Sequence, residues 1–367
     1  MPRAILSTKT LLSVYSGPSM WYTLNNILYL GSGKTMKKEK ILDLLRGAPE
    51  GAVSGEHISA ELGITRAAVW KAVDALRRDG YKIEAQAGSG YRLVSSPDVL
   101  TAHEVSSLLG KTRIVGQKID CLASVDSTNT YLKRAAHDGA PDGMAVIAAQ
   151  QTAGRGRRGR TFQSKDGGLY LSVLLRPKCP PESLLPLTGL AAVAVCDAVE
   201  SVCGARPQIK WTNDLLLDGK KLCGILTELS MEGESGALEY AVLGIGINVS
   251  QTRDDFEDEV RDIATSLSLH LGQSVSRAAL AAAVLREVDA LYTALCAGDT
   301  ARYLAAYRRG CVTIGREVRL LWRDERESVF AEDIDESFGL IVRRPDGTRE
   351  TIRSGEVSVR GLYGYAE

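Results

Sequence analysis

Apolar residues follow a helical spacing after position 36 and a shorter, strand-like spacing after position 82. Ile41, Leu42, Leu44 and Leu45 mark a helix that opens at Met36 and stops near Gly47. A second helix is expected behind Ser54, a capping residue type, and runs through Ile58 and Leu62 to Gly63. A third follows Thr65, with Val69, Val73 and Leu76 at i, i+4 and i+7, and ends at Gly80. Helix, four-residue turn, helix is the outline of a helix-turn-helix. Lys82 to Ala85 and Tyr91 to Val94 can then pair around Gly88-Ser89-Gly90 as a wing. The third helix carries Arg66, Trp70 and Lys71. Gly55 to Asp74, with Thr65 at the start of that helix, is therefore the expected DNA-reading segment. The competing reading is a winged helix turned to protein contacts.

Ser95-Ser96-Pro97-Asp98 reads as a polar linker. Beyond it, apolar runs of strand length alternate with helical stretches. They are Met144 to Ala149, Leu169 to Leu175, a long helix from Leu184 to Val202, Gln208 to Trp211, Cys223 to Leu229 and Tyr240 to Val249. This mixture predicts an α/β or α+β domain around one principal sheet. From Gly310 to Tyr363, five short runs separated by polar turns predict a small β module: Val318 to Leu321, Ser328 to Ile334, Gly339 to Val342, Glu350 to Ile352 and Val357 to Arg360.

Composition narrows the class. The chain has 367 residues, 44% hydrophobic and 25% charged, and its 45 basic and 45 acidic residues cancel. Any nucleic-acid contact must then come from a local patch instead of a global basic field. Seven cysteines with no C-x-x-C pair argue against a structural metal and fit reduced thiols in the cytoplasm. Residues 1–35 are read as a disordered extension. The apolar stretch Leu11 to Leu30 is broken by Ser13, Ser16, Pro18, Asn25 and Asn26, too often for a membrane span. Gly31-Ser32-Gly33-Lys34-Thr35 imitates the end of a phosphate loop, but Leu28 stands where the first glycine is required.

The densest chemistry lies at Gly154-Arg155-Gly156-Arg157-Arg158-Gly159-Arg160. Four guanidinium groups sit on a glycine-hinged loop with no acid among them. Arginine forks bind phosphate or carboxylate bidentately, and glycines let a backbone approach an anion closely. A solvated basic loop or a nucleic-acid grip would look alike in isolation. Four other clusters accompany the loop. Asp126-Ser127-Thr128-Asn129 precedes a helix and could simply cap it. Gln150-Gln151 leads into the loop. Lys210 closes a strand, with Asn213 and Asp214 three and four residues on. Gly244-Ile245-Gly246-Ile247-Asn248 alternates glycine with isoleucine, which permits close approach of a ligand but is no dinucleotide fingerprint, because Val249 replaces the needed glycine.

In order and spacing these stretches resemble the bifunctional biotin-protein ligases that also repress the biotin operon. Val125 to Asn129, Gln150 to Ala153 with the arginine loop, Lys210 to Leu216, Lys221 to Glu228 and Gly244 to Val249 carry the likeness, with Ser54 to Glu56, Arg66 to Val69 and the wing. It covers Lys37 to Tyr363. The resemblance implies an α+β multidomain fold: a winged helix-turn-helix over 36–96, a central α/β biotin/ATP domain with one mixed sheet over 97–309, and an SH3-like β-barrel over 310–367. It also implies a reaction in which biotin and Mg-ATP form biotinyl-5′-adenylate, which passes biotin to a lysine of a biotin carboxyl carrier domain of acetyl-CoA carboxylase or a similar carboxylase. Operator DNA of biotin genes would be the second partner, bound by a homodimer of the liganded protein. No membrane partner is implied.

Carried over residue by residue, Lys210, Arg155 and Arg157 become the expected catalytic groups. Biotin or adenylate contacts fall to Ser127, Thr128, Asn129, Gln150, Gly154, Gly156, Gly224, Gly244 and Gly246. Asn213, Asn248, Arg160 and Arg360 fall on the nucleotide side, and Asp214 would hold magnesium through phosphate. Joining a carboxylate to a phosphate brings two anions together, so cationic clamps are the main requirement. No Ser/His/Asp or Cys/His set emerges among His57, His103, His137 and His270. Two positions depart from the family pattern: Thr212 stands where proline is usual, and Phe162 where tryptophan is common. The alternatives are a ligase with a non-regulatory winged helix, a lipoate or octanoate ligase of similar fold, and a ligand-sensing transcription factor with an inactive ligase fold. Lys210 and the four loop arginines argue against the last.

Overall fold

The computed structural model describes residues 33–48, 51–86, 88–233, 235–322, 325–353 and 357–359. The chain divides into two compact units after Pro97.

In the first unit, α1 (Gly33–Arg46) buries Ile41, Leu42 and Leu45, and begins three residues before the expected Met36. Both expected caps form. The Ser54 hydroxyl accepts from His57 N at 3.0 Å to open α2 (Gly55–Leu62), and Thr65 accepts from Ala68 N at 3.2 Å to open α3 (Arg66–Arg78). Helix α2 stops at Gly63, whose φ of 59° is left-handed. Val69, Val73 and Leu76 pack inward from α3. The wing is an antiparallel hairpin of β1 (Lys82–Gln86) and β2 (Gly90–Ser95). It is stitched to the chain before α2 by Val53 N to Tyr91 O and Tyr91 N to Val53 O. Gly90 makes this seam possible: with φ at 110°, a methyl there would lie 2.1 Å from Val53 O.

In the second unit a seven-stranded sheet takes the order β3-β4-β5-β9-β8-β7-β6. The strands are β3 (Ile119–Val125), β4 (Ala145–Gln151), β5 (Gly168–Leu175), β6 (Gln208–Lys210), β7 (Asp214–Leu217), β8 (Lys220–Met231) and β9 (Leu238–Asn248). Strands β3 and β4 are parallel and the remaining pairs antiparallel, so the sheet is mixed as expected. Period-two alternation sorts the side chains. Leu169, Leu171, Val173 and Leu175 join one core with Leu243, Ile245 and Ile247, whereas Ser172, Gly244 and Gly246 turn to the other face. The first face is covered by the long apolar helix Leu187–Cys203 and the helix Arg277–Ala297, which pack against each other. By length and composition 181–203 passes as a membrane span, but most of it is buried against this sheet, as a core helix is. The other face carries the helix Thr128–His137, whose Leu132, Ala135 and Ala136 are buried.

The carboxy-terminal strands form a five-stranded antiparallel sheet, Arg316–Trp322, Glu325–Ile334, Leu340–Arg343, Arg349–Ile352 and Val357–Val359. Its inner residues Val318, Leu320, Phe338 and Val342 belong to the same core as the large sheet. The expected break at 310 is therefore a change of sheet within one compact unit. Phe338 seats on the helix Leu187–Cys203 at Gly189, where a methyl would lie 2.1 Å from its ring.

Candidate active site

On the face opposite the large core, β3 ends in a turn that starts the helix Thr128–His137 directly above the sheet. Ser127, Thr128 and Asn129 are all buried there. Ser127 occupies the cap position but its hydroxyl makes no capping bond, so capping is not what it does here. Thr128 N and Oγ1 both donate to Gln151 Oε1, at 2.8 and 3.0 Å, and Gln151 Nε2 donates to Ser164 Oγ at 2.8 Å. Ser172 Oγ, rising from β5, lies 2.7 Å from Thr128 Oγ1 and 2.6 Å from Asn129 Oδ1. These groups give one end of a cavity a rigid set of neutral donors and acceptors.

The arginine loop roofs this cavity. Gly156 N donates to Arg160 O at 2.7 Å, Phe162 N to Gly154 O at 3.0 Å, and Arg158 adopts a left-handed φ of 56°. A methyl on Gly154 would lie 2.3 Å from Phe162 O, so this glycine closes the base of the loop. Arg155, Arg157, Arg158 and Arg160 all line the cavity. Arg157 Nη1 donates to Asn213 Oδ1 at 3.0 Å, crossing to the far end, and Arg155 Nη1 stands 3.7 Å from Glu228 Oε1.

At that far end Lys210 closes β6, only 6% exposed, opposite Asp214 in register. The turn between them is held from behind. Trp211 N donates to Thr313 Oγ1 at 3.0 Å, Trp211 Nε1 to Phe338 O at 2.9 Å, and Tyr307 OH to Thr212 O at 3.1 Å. The Trp211–Thr212 peptide is cis. Asp214 pairs with Lys221 at 2.8 Å, which also lines the cavity. Phe162 lies on the floor, packed where Gly224 and Gly246 leave room: methyls there would meet its ring at 3.0 and 2.6 Å. The cavity measures about 150 Å3, well under the roughly 300–1,000 Å3 of most small-molecule sites. Phe162 and the loop bound this space on two sides.

Thr212 Oγ1 is buried without a hydrogen-bond partner among the described residues. Thr212→Val removes that orphan hydroxyl and is expected to stabilise the protein by about 1 kcal/mol. A thermal-denaturation midpoint that stays put or falls would contradict this.

Of the residues singled out in the sequence, Ser127, Thr128, Asn129, Arg155, Gly156, Arg157, Arg160, Lys210, Asn213, Asp214, Gly224, Gly244 and Gly246 line one cavity. Three expectations need correction. Gln150 is exposed on β4, and its neighbour Gln151 lines the cavity, its Oε1 accepting from Thr128 N and Oγ1. Gly154 supports the loop without lining the cavity. Asn248 is buried below it, its Nδ2 donating to Thr265 O at 2.9 Å, which ties β9 to the segment beside Lys221. Arg360 lies outside the described residues. Lys221, Ser172 and Gln151 are not among the expected residues; strict alternation along β4 puts Gln150 with Val146 on the Ser172 face, so the sequence pattern favours the wrong glutamine.

Among the described residues no cysteine lines the cavity. Burial pushes the Cys121 and Cys196 thiols up to about 12, with the nearby Asp120 carboxylate adding to the first. In the first unit, Arg66, Trp70 and Lys71 are exposed on the outer face of α3, Trp70 by 55%. Arg77 and Arg78 are committed instead, to Ile83 O and to Asp74.

The model of the biotin/lipoate A/B protein ligase family matches residues 121–248, an HTH domain model matches 37–92, and the biotin protein ligase C terminal domain model matches 313–360. The bifunctional ligase/repressor BirA of Bacillus spizizenii is 43% identical over 245 residues, covering 66% of this chain and 74% of the relative. That of Escherichia coli is 32% identical over 308 residues, covering 84% and 92%. The chain belongs to the BirA-type biotin ligase/repressor family. The solved biotin protein ligase from Aquifex aeolicus in complex with biotin and ATP superposes with a TM-score of 0.57 at 30% identity, covering 66% of this chain and 99% of that one. For a BirA-type ligase the neutral end and the cationic end of the cavity make chemical sense together. One can orient an uncharged ring, and the other can neutralise a carboxylate and a phosphate chain.

Proposed function

We infer that this protein is an ATP-dependent biotin–[acetyl-CoA-carboxylase] ligase that is also a transcriptional repressor. The observation that carries the chemistry is a buried lysine and four loop arginines converging on one cavity whose opposite end is polar and neutral. In the first step a biotin carboxylate oxygen attacks the α-phosphorus of ATP and pyrophosphate leaves. Lys210 sits between the two anions, lowers their repulsion and stabilises the charge that develops. Arg155, Arg157 and Arg160 close over the adenylate and shield its anhydride from water, with Gly156 letting the loop turn. Ser127, Thr128, Asn129 and Gln151 hold the ureido ring beside Gly244, and Gly224 and Gly246 floor the adenylate. Asn213 and Asp214 would serve the nucleotide, Asp214 facing through phosphate the magnesium that accompanies ATP. In the second step the amine of the carrier lysine attacks the acyl carbonyl and AMP departs.

We assign DNA binding to 36–96, with Thr65, Arg66, Trp70 and Lys71 at the groove, and chemistry to 97–309. The 310–367 module braces Lys210 from behind. A homodimer that forms when the adenylate orders the loop would span a two-fold operator, the ligand acting by preferring the dimerising state. The seven free cysteines favour a cytoplasmic setting.

Purified protein given ATP, biotin and a biotin carboxyl carrier domain is expected to biotinylate the carrier lysine; lipoate serving equally well would overturn the substrate. A footprint on a biotin promoter is expected only when biotin and ATP are both present. Its absence at low salt would leave a ligase with a non-regulatory winged helix.

A further inference from the structure

Glu228 lies on β8 two residues past the cavity-lining Leu226 and so on the same face of the strand. The reaction gives it no task. Its Oε2 accepts from Asn129 Nδ2 at 2.8 Å, and its Oε1 accepts from Lys133 Nζ at 2.6 Å. The other end of the Asn129 amide is held as well, Oδ1 facing Ser172 Oγ at 2.6 Å. An amide gripped this way has one orientation. Turned over, its oxygen would face a carboxylate, acceptor against acceptor, with nothing to bind. Burial alone would raise the Glu228 carboxyl, but the hydrogen bonds from Lys133 and Asn129 outweigh it and hold the group below the usual carboxylate range. The carboxylate is thus charged, and acceptor only, throughout the neutral range.

We propose that Glu228 is a positioning residue for biotin: through its bond to Nδ2 it fixes the Asn129 amide so that the second lone pair of Oδ1 is presented to a donor N–H of the ureido ring. The same carboxylate is the counter-anion beside Arg155 when no ligand anion occupies the loop. This inference rests on Asn129 belonging to the biotin end of the cavity, as proposed above.

Steady-state kinetics of adenylate formation test it. Glu228→Ala is expected to raise the KM for biotin about 10- to 100-fold, the worth of a hydrogen bond to a charged group. The KM for ATP and kcat at saturating biotin should stay within about two-fold. Glu228→Gln, whose amide oxygen accepts the same bond, should restore most of the loss. Glu228→Asp keeps the charge for Lys133 but falls short of Asn129, so it should behave like alanine and serves if the alanine variant fails to fold. In an Asn129→Ala background, Glu228→Ala should add less than about two-fold. A parallel loss of kcat and ATP affinity, a full additional effect on top of Asn129→Ala, or an aspartate variant with normal biotin KM would overturn the positioning role. An Asn129→Ala variant with an unchanged biotin KM would instead remove the assignment of Asn129 itself.

Discussion

Lys210→Ala is expected to slow adenylate formation by about 100- to 1,000-fold, the range found when one preorganised charge-stabilising donor is removed from a buried site. The effect is large because this ammonium is placed before any ligand arrives. Its strand ends at Lys210, and the next two residues are pinned by Thr313, Phe338 and Tyr307 from behind. The cation therefore needs little reorganisation as charge builds on the α-phosphate. Lys210→Arg is not expected to rescue the rate, since a planar fork in place of a compact ammonium cannot enter the same space between two anions. Biotin affinity measured by calorimetry should fall far less than the rate. A rate loss under about ten-fold would mean that the loop arginines carry the transition state without Lys210.

Gly244→Ala is expected to raise the KM for biotin by about 100-fold or more, comparable to the loss of two buried hydrogen bonds. The added methyl would lie 2.2 Å from Asn129 Oδ1, 2.9 Å from its Cγ and 3.0 Å from Nδ2. Asn129 cannot yield without surrendering Ser172 or Glu228, and its helix start is locked through Thr128 to Gln151. The matching change two residues on should be milder for biotin. At Gly246 the methyl meets the edge of Phe162 and not the Asn129 amide. Equal effects of the two substitutions on biotin KM would contradict the division of the cavity into a biotin end and a nucleotide end.

These two sites also show what was legible in the sequence. Ser54 and Thr65 could be read as caps because capping is settled within four residues. The arginine loop and Lys210 are equally plain, since four arginines on one glycine-rich loop and a lysine closing a strand stand out in the sequence itself. The helix Arg277–Ala297 left no periodic trace: it is buried on nearly all sides, and alanine fills much of it. Strand β3 is obscured for the opposite reason, being largely exposed or half-buried, with Asp120 and Ser124 interrupting its apolar residues. Gln150 and Gln151 are adjacent and identical, so nothing in the sequence separates them. The alternating glycines were read as room for a ligand. That room belongs to Asn129 and Phe162, side chains distant in sequence.

The claim on which the rest depends is that one cavity brings the carboxylate of biotin to the α-phosphate of ATP under Lys210 and the arginine loop. Isotope exchange measures this without carrier or DNA. The purified protein with ATP and labelled pyrophosphate should incorporate label into ATP only when biotin is added, and Lys210→Ala should lose that incorporation. Exchange that is absent with biotin, or equally fast without it, would contradict the account.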